Sequence, residues 1–471
     1  MYDDLRGFIS HIESLGELQR VNGADPMLEI GALTVLTARK SKTHPALLFD
    51  QIKGHKKGFR ILSNIVTTLN RSKLALGIEP SVDVGDPVEY LAHMLSAYEP
   101  VPPKEVSDGP VFENMQRKDE INILEFPAPK WHMLDGGNYI GTADVVVLKD
   151  PDTQKINLGT YRLQVHDRKT LGIAINPGHH GGIIEEKYWE RGLSCPVAIS
   201  LGHDPRLATA ASMYLPWGAS EYEYAGWLEK KPVEIVVGPA TGLPIPANAE
   251  IAIEGEIPPP SVESAIEGPF GEFGGYYSSE GKPQPIIKVK SVYYRNDPIT
   301  LGSPPFRGIS HNGLLPIPDA ILLLELQRLG YPEVKKLGRA GPFLVVSMKT
   351  RYSGHARRVA DFIVSGIGMR PPKYILIVDD DIDISNREEV FWAFQTRVDA
   401  DESAYLVKNR WGASTDPRIP PSKRQSGDIS ASSLIFDATR PWAWKDQFPK
   451  TTDFPDDLMN EITKKWSAHL K

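Results

Sequence analysis

Two glutamates five residues apart are the most informative feature of this chain. Residues 267–272 read Glu-Gly-Pro-Phe-Gly-Glu, and the proline and glycines exclude a regular helix between Glu267 and Glu272. A bent, rigid backbone lets the two side chains converge. Two carboxylates held close together cannot both ionise freely, so the pKa of one rises and that group can act as an acid near neutral pH. Taken alone, the segment also fits two solvated glutamates on a turn.

An arginine stands in the middle of a predicted strand. Residues 157–165 read Asn-Leu-Gly-Thr-Tyr-Arg-Leu-Gln-Val, and period-two alternation puts Tyr161 on one face and Arg162 and Gln164 on the other. Such an arginine must reach solvent, a carboxylate or a ligand. If the two glutamates lie nearby, Arg162 becomes a partner for one of them and a binder for a substrate carboxylate. A wet sheet face is the alternative.

Three further segments carry groups that could ligate a metal. His179 and His180 follow an Asn-Pro-Gly turn, and Glu221 follows Ser220, which is a predicted helix cap. One imidazole and one carboxylate, together with the amide oxygen of Asn157, suit Mg²⁺ or Mn²⁺ better than a tight zinc site. Polar turn residues and helix-start electrostatics explain the same residues without a metal. Spacing alone does not bring the segments together.

Other motifs restrict the function. The acidic run at 379–383 follows a predicted strand, a position where carboxylates can bind metals. Ser385 and Asn386 come next and predict a helix cap, which favours a structural or interfacial role. The sequence has no P-loop, no Gly-x-Gly-x-x-Gly after a strand, no Cys-x-x-Cys and no nucleophile elbow. These absences disfavour the common nucleotide-binding and serine-hydrolase functions.

Composition and charge indicate a soluble, multi-domain globular protein. The 471 residues are too many for one core, and 41% apolar with 24% charged residues is ordinary for a folded chain. A net charge of -7 argues against nucleic acid or an anionic membrane as the main partner. The single cysteine, Cys195, excludes a disulfide within the chain, and no apolar run reaches the length of a membrane span. We therefore expect a cytoplasmic protein with Cys195 as a buried small hydrophobe.

The elements that must hold these side chains indicate a mixed α/β (α+β) protein in three parts. Residues 1–110 predict an N-terminal α/β segment, 111–315 a strand-rich sheet curled towards a barrel, and 316–471 a second α/β domain with a terminal amphipathic helix. Helices are predicted at 2–18, 28–39, 207–212, 223–228, 320–329, 355–363 and 388–394. Strands are predicted at 46–49, 59–62, 143–148, 158–165, 171–175, 197–201, 233–237, 250–257, 285–294, 343–348 and 374–378.

Several motifs recur in a known family, and in the same order. They are residues 157–162, 176–179, 220–222, 246–250 and 267–272, with 380–383 and 392–394 farther on. On these motifs the chain resembles the UbiD family of prenylated-flavin-dependent decarboxylases over essentially its full length. The Asn-x-Gly-Thr-Tyr-Arg motif is closer to the hydroxyaryl-acid (vanillate-type) branch than to the cinnamate-type members.

The resemblance implies a flavin-binding split barrel at the centre of the chain. It implies that Asn157, His179 and Glu221 ligate Mn²⁺ (or Mg²⁺) beside the phosphate of prenylated FMN, with K⁺ close by and His180 as a fallback ligand. The implied cofactor contacts are Asn157, Tyr161, Arg162, Gln164, His179 and Glu221. A separate flavin prenyltransferase would supply the cofactor, and the chain would form a homodimer or homohexamer.

The resemblance also implies the chemistry. Loss of CO₂ from an aryl or vinyl carbon needs an electron sink, which no amino-acid side chain supplies and which the prenylated flavin would provide. Arg162 would hold the substrate carboxylate and Glu267, and Glu272 would protonate the carbon after CO₂ leaves. The reaction would be a reversible decarboxylation of an aromatic, heteroaromatic or α,β-unsaturated acid.

Two stretches depart from the ferulic-acid-type members. Residues 366–373 lack the cofactor-contacting lysine of those relatives at the matching place, and Lys349 or Lys373 could substitute for it. The loop that carries Arg307 and His311 lies where relatives line the substrate pocket. These two residues would meet a polar or acidic group on the substrate, or would lie on an exposed basic loop.

Two other functions stay open. A flavin carrier or subunit without turnover would bind the cofactor, but it has no use for the placed side chains of Arg162, Glu267 and Glu272. A metal-dependent hydrolase would use the Asn157, His179 and Glu221 set without a flavin, and it would be colourless.

Overall fold

The structure is a computed structural model that describes residues 2–176, 178–277, 280–307, 315–366, 371–413, 415–452 and 454–469. His311 and residues 367–370 of the lysine-free stretch lie outside these ranges. The helices are α1 (Leu5–Ser14), α2 (Glu29–Lys40), α3 (Leu69–Leu74), α4 (Pro87–Ser96), α5 (His180–Trp189), α6 (Pro205–Ala211), α7 (Glu221–Glu229), α8 (Ile317–Arg328), α9 (His355–Val364), α10 (Arg387–Arg397), α11 (Pro421–Gln425) and α12 (Asp456–Trp466).

The strands are distributed along the chain between residues 18 and 438. They are β1 (Leu18–Asn22), β2 (Ala46–Asp50), β3 (Arg60–Ser63), β4 (Lys104–Glu105), β5 (Asn114–Arg117), β6 (Asn138–Gly141), β7 (Val145–Lys149), β8 (Ile156–Gly159), β9 (Leu163–Val165), β10 (Thr170–Ile173), β11 (Cys195–Leu201), β12 (Glu234–Val237), β13 (Pro244–Pro246), β14 (Ile251–Ile257), β15 (Ser264–Glu267), β16 (Lys282–Tyr294), β17 (Ile299–Gly302), β18 (Val334–Ala340), β19 (Phe343–Met348), β20 (Tyr374–Asp379), β21 (Ala404–Arg410) and β22 (Ala431–Ala438).

The chain folds into two compact units. The first consists of Met1–Gly330, Ser365–Pro371 and Lys408–Ser432, and the second of Tyr331–Val364, Pro372–Val407 and Ser433–Lys471. The mixed α/β class is confirmed, while the division at residues 110 and 315 stays a prediction. None of the described helices is both long and apolar enough to cross a membrane.

A four-stranded sheet stands at the start of the first unit, in the order β1-β2-β3-β17. Helix α1 covers it with an apolar stripe that includes Leu5, Phe8 and Ile12, each of them fully buried. Strand β17 comes from residues 299–302 and pairs in parallel with β3. The N-terminal segment is thus completed by a strand from much later in the chain.

The large sheet of the first unit curls back on itself. Its strand order is β6-β9-β10-β16-β14-β11-β7-β8, with β5 and β15 also paired to β16. Strands β8 and β9 lie near opposite ends of that order, yet only residues 160–162 join them. Three linking residues reach at most about 14 Å. The two ends of the sheet must therefore approach each other, which confirms the predicted curl towards a barrel.

The predicted continuous strand at 158–165 is wrong, because the chain leaves the ladder at residues 160–162. β8 pairs with β7, whereas β9 pairs with β6 and β10, so one straight strand cannot serve both ends. At the break, the amide of Tyr161 donates to the buried carboxylate of Asp144 at 3.4 Å. A Cβ on Gly159 would lie 2.5 Å from the Tyr161 ring, so the ring folds back over this glycine. Arg162 therefore extends from a bend.

The second unit is built on a five-stranded sheet in the order β18-β19-β20-β22-β21. β19, β20 and β22 run in parallel, and helix α9 joins the first two of them. Asn386 caps α10 by accepting hydrogen bonds from the amides of Glu388 and Glu389, so the predicted cap is confirmed. The predicted terminal helix is also present, as α12.

Candidate active site

Arg162 holds both glutamates of the 267–272 segment. Its Nε and Nη2 atoms donate to the two carboxylate oxygens of Glu267 at 2.7 and 2.8 Å, and its Nη1 donates to Oε1 of Glu272 at 2.5 Å. Burial lowers the pKa of Arg162, but the hydrogen bond to Glu267 and the charges of both glutamates outweigh it and raise that pKa above its usual value. The structure thus brings the three predicted catalytic residues into one buried ion cluster.

Residues 132–136 form hydrogen bonds with the backbone that carries the two glutamates. β15 ends at Glu267, and the next turn is fixed because the amide of Gly136 donates to the carbonyl of Pro269 at 2.7 Å. The amide of Gly271 donates to Oδ1 of Asp135 at 3.1 Å. The other oxygen of Asp135 accepts from the amide of His132 at 2.8 Å, so this buried carboxylate ties the two segments together.

A buried tyrosine and a glutamine support Glu267. The Oη atom of Tyr139, on β6, lies 3.0 Å from Oε1 of Glu267 and 3.3 Å from Oε1 of Gln164. The same Gln164 oxygen accepts from the amide of Gly268 at 3.0 Å. Burial raises the pKa of the Tyr139 phenol, so the hydroxyl keeps its proton and acts as a donor. Gln164 therefore contacts the backbone between the two glutamates through Gly268. Its predicted contact with the cofactor stays a prediction.

Aromatic rings surround the ion cluster. The guanidinium carbon of Arg162 lies 5.3 Å from the ring centre of Phe270, which is in turn 4.4 Å from the ring centre of Tyr139. Phe270 is buried, whereas Phe273 and Tyr276 on the following turn are exposed by 57% and 61%. Buried aromatic rings thus pack against Arg162, and exposed aromatic side chains follow Glu272 in the chain.

The predicted substrate residue Arg307 packs against the turn that follows Glu272. A Cβ on Gly275 would lie 2.6 Å from the Cβ of Arg307, and Nη2 of Arg39 donates to the Arg307 carbonyl at 2.6 Å. The backbone of Arg307 is therefore fixed beside the acid-bearing turn, and its side chain is exposed. Lys349 and Lys373 belong to the second unit.

Two of the three predicted metal ligands are in contact. Nδ2 of Asn157 donates to Oε1 of Glu221 at 3.0 Å, and the amide of Leu158 donates to the other oxygen at 2.9 Å. Glu221 opens α7, which Ser220 caps by accepting from the amide of Glu223, as predicted. Burial raises the pKa of the Glu221 carboxyl to about 7, and the hydrogen bonds from Leu158 and Asn157 only partly oppose that shift. A divalent cation offsets such a buried charge.

His179 and Tyr161 lie on the neighbouring helix start. His179 is the N-cap residue of α5, and its ring centre lies 6.4 Å from that of Tyr161. The hydroxyl of Tyr161 accepts from the amide of Gly181 at 3.3 Å. Burial raises the pKa of Tyr161, and the charge of Glu221 adds to that rise. Tyr161 therefore contacts the helix start that carries His179.

A cavity opens beside Asn157, and His180 lines it together with Lys155 and Trp217. The ring centre of His180 lies 4.9 Å from that of Trp217, and Nζ of Lys155 donates to the carbonyl of Gly218 at 3.1 Å. The cavity offers a cation, an imidazole and an indole next to the predicted metal ligands. The carboxylate of Asp150 also lines this cavity.

Tyr139 and Asp135 are the supporting residues that the sequence did not reveal. They lie in an Asp-Gly-Gly-Asn-Tyr stretch at 135–139, which indicates only a turn before a strand. Their partners are more than 100 positions away, since Tyr139 bonds Glu267 and Asp135 bonds Gly271. Such contacts leave no periodic signal in the chain.

Models of known protein families match most of the chain. Three models match: the N-terminal domain of 3-octaprenyl-4-hydroxybenzoate carboxy-lyase at residues 9–90, its Rift-related domain at 104–307, and its C-terminal domain at 320–438. These models are named UbiD_N, UbiD and UbiD_C. A phenolic acid decarboxylase of Bacillus subtilis is 33% identical, in an alignment that covers 100% of this chain and 98% of that protein.

Solved structures agree. The vanillic acid decarboxylase of Sedimentibacter hydroxybenzoicus in its closed form superposes with a TM-score of 0.86 at 31% identity, covering 100% of this chain and 99% of that one. The UbiD-class enzyme HmfF from Pelotomaculum thermopropionicum, in complex with FMN, has a TM-score of 0.79 at 29% identity, with 96% and 98% of the two chains covered. An evolved dimeric form of HmfF is in complex with prFMN.

Proposed function

Because the chain belongs to the UbiD family of carboxy-lyases, we propose that it is a non-oxidative, reversible decarboxylase of a hydroxyaryl acid that uses prenylated FMN. The single observation that carries the proposal is the buried Arg162–Glu267–Glu272 cluster. It combines a fixed cation for a substrate carboxylate with an acid for the carbon that loses CO₂. The phenolic and vanillic acid decarboxylases supply the substrate class.

The exposure of the three side chains suggests their roles. The side chain of Arg162 is 20% exposed, whereas those of Glu267 and Glu272 are 1% and 6% exposed. The guanidinium is therefore the part of the cluster that a substrate carboxylate reaches first. Charge-assisted hydrogen bonds from Arg162 would bind the substrate carboxylate and fix its orientation.

Glu272 is the proton donor in this proposal. Arg162 binds Glu267 through two nitrogens and Glu272 through one, so Arg162 stays paired with Glu267 while Glu272 acts as the acid. When bound, the prenylated flavin supplies the electron sink for the breaking C–C bond. Glu272 then gives its proton to the ring carbon from which CO₂ left, and it regains a proton from solvent before the next turnover.

Asn157, His179 and Glu221 would hold the divalent cation, Mn²⁺ or Mg²⁺. An amide oxygen, an imidazole and a carboxylate suit these ions. The fit is supported by the burial of Glu221 in contact with Asn157, because a bound cation would offset the charge of that carboxylate. We also propose a K⁺ site near these ligands, as the family resemblance implies.

The aromatic surroundings support an aromatic substrate. Phe270 packs on Arg162, and Phe273 and Tyr276 expose apolar surface on the turn after Glu272. A planar ring can stack on such groups while its carboxylate meets the arginine. Arg307, beside the same turn, would meet a polar substituent of the ring, and we propose His311 as a second contact for that substituent. A flavin prenyltransferase would load the cofactor, and assembly as a homodimer or homohexamer is part of the proposal.

The test starts with the visible absorption spectrum and cofactor mass of protein co-expressed with a flavin prenyltransferase. We expect a flavin-like spectrum, the mass of prenylated FMN and CO₂ release from hydroxybenzoic acids. Loaded protein that releases no CO₂ from any aromatic acid would support a carrier without turnover. A colourless protein that holds metal but no flavin would support the hydrolase and overturn the proposal.

A further inference from the structure

Asp135 contacts the backbone beside Glu272 through a side chain that is 0% exposed. Its Oδ1 atom accepts from the amide of Gly271 at 3.1 Å, and its Oδ2 atom accepts from the amide of His132 at 2.8 Å. Burial of a carboxylate costs free energy, and hydrogen bonds from these two donors offset part of that cost. The Asp135 side chain thus joins residue 132 to the residue that precedes Glu272.

The turn after Glu272 is closed by its own backbone. The amide of Glu272 donates to the carbonyl of Tyr276 at 2.9 Å, and the amide of Gly275 donates to the carbonyl of Glu272 at 2.8 Å. These two bonds fix Glu272 relative to residues 275 and 276. The bond from Gly271 to Asp135 then attaches this turn, one residue before Glu272, to the segment at 132–136.

The ring of His132 lies against Gly271. A Cβ on Gly271 would lie 2.7 Å from Nδ1 of that ring, so a larger residue at 271 would require the ring to move. The same Nδ1 atom lies 3.4 Å from Oδ2 of Asp135. Glycine has more conformational freedom than any other residue, so the backbone at 271 depends on the groups that contact it. Asp135 and His132 supply those contacts next to Glu272.

We propose that Asp135 is a positioning residue that sets where the side chain of Glu272 meets Arg162. Oε1 of Glu272 lies 2.5 Å from Nη1 of Arg162, and a shift of the backbone at Gly271 would carry the Glu272 side chain with it. The inference rests on the proposed decarboxylase function and adds a residue that acts through the backbone of Glu272. Misplacement of a reacting group by about 1 Å costs about 100-fold in rate, so loss of Asp135 reaches the chemistry while the residues of the ion cluster are unchanged.

Two variants of Asp135 test the proposal. Asp135→Asn keeps the size of the side chain but has one acceptor oxygen in place of two, and Asp135→Ala has neither. With the cofactor-loaded enzyme, we expect kcat to fall about 10- to 100-fold in Asp135→Asn and further in Asp135→Ala. The KM should stay within about twofold of the wild type, because Arg162 still binds the substrate carboxylate.

Glu254→Gln is the matched control. Glu254 is also fully buried, and its two oxygens likewise accept from two backbone amides, those of Ala240 at 3.0 Å and Thr241 at 2.8 Å. Chemical denaturation should show a loss of stability in Glu254→Gln and in Asp135→Asn, whereas only the latter should lower kcat. Wild-type kcat in both Asp135 variants, a rise in KM that matches the fall in kcat, or an equal loss of kcat in Glu254→Gln overturns the proposal.

A second measurement does not depend on turnover. Hydrogen–deuterium exchange, followed by mass spectrometry, reports how firmly the amide of Gly271 is held, and a peptide of residues 268–273 should exchange about tenfold faster in the two Asp135 variants. In Glu254→Gln the faster exchange should appear at residues 238–243 instead. Unchanged exchange at 268–273 in both Asp135 variants overturns the proposal, even if activity falls. If loaded wild-type protein releases no CO₂, the decarboxylase function fails, and the exchange result still decides whether Asp135 holds the turn.

Discussion

The backbone of Gly136 touches that of Gly268 so closely that a Cβ on Gly136 would lie 1.9 Å from the Gly268 carbonyl oxygen. This contact fixes the bend between the two glutamates. We therefore expect Gly136→Ala to displace the 268–269 backbone, to destabilise the fold by about 1–3 kcal/mol and to lower activity beyond that loss of stability. Chemical denaturation and kcat on the same preparation measure the two effects.

Gly274→Ala is the control for that substitution. A Cβ there would meet only ordinary contacts, the nearest at 3.9 Å, although the residue belongs to the same turn region. Its stability should stay within about 0.5 kcal/mol of the wild type. If the two variants lose equal stability, the close approach of Gly136 is not what holds the bend.

Glu272→Gln should abolish proton transfer while it leaves binding intact. The amide cannot donate an acidic proton, so kcat should fall by about 10²–10⁴-fold, while flavin content and substrate affinity change little. The protein-bound flavin and the rate of solvent deuterium exchange into the decarboxylated product measure these effects. Near wild-type turnover in this variant would contradict the assignment of Glu272 as the acid.

Asn157→Leu should remove the divalent cation and weaken flavin retention. The leucine keeps the volume of the side chain but has no oxygen for a metal and no donor for Glu221. Metal content by elemental analysis should drop well below one ion per chain after gel filtration. Asn114→Leu is the control, because Asn114 bonds the carbonyl of Tyr294 far from the ligand set. Equal metal content in the two variants would contradict the ligand assignment.

Glu185 should make the stability of the protein fall as the pH rises. It is 4% exposed on α5, and burial raises the pKa of its carboxyl from 4.5 to about 8. The native state keeps the proton while the unfolded chain loses it above about pH 4.5, so stability decreases between about pH 5 and 8. Glu185→Gln should flatten this decrease, a difference of up to about 5 kcal/mol for a shift of this size. Parallel stability curves for wild type and variant would refute it.

The sequence was sufficient for features that depend on local chemistry. The cap of α7 by Ser220, the cap of α10 by Asn386 and the amphipathic α12 follow from residue types within one helical turn. Cys195 is fully buried, as its apolar surroundings predicted, and burial raises the pKa of its thiol. The two caps and the apolar stripe of α12 involve neighbours in the chain, so residue types alone indicate them.

The strand at 158–165 shows where local pattern fails. Alternation predicted one strand with Arg162 on a defined face, yet the chain bends at 160–162 because β8 and β9 join opposite ends of the curled sheet. Which strands pair is decided by contacts between residues that are far apart in sequence. Alternation carries no information about where a sheet closes, and the bend that aims Arg162 depends on that closure.

By itself, the sequence determined the residue types of the site, the rigid bend between Glu267 and Glu272, the mixed α/β class and, through motifs in a fixed order, the family resemblance. Only the tertiary structure decided that Arg162 meets Glu267 from 105 positions away and that Tyr139 supports the same carboxylate from 128 positions away. The physical reason is that a carboxylate can be buried only where several donors converge. That convergence arises from sheet closure and packing, which the order of residues alone does not reveal.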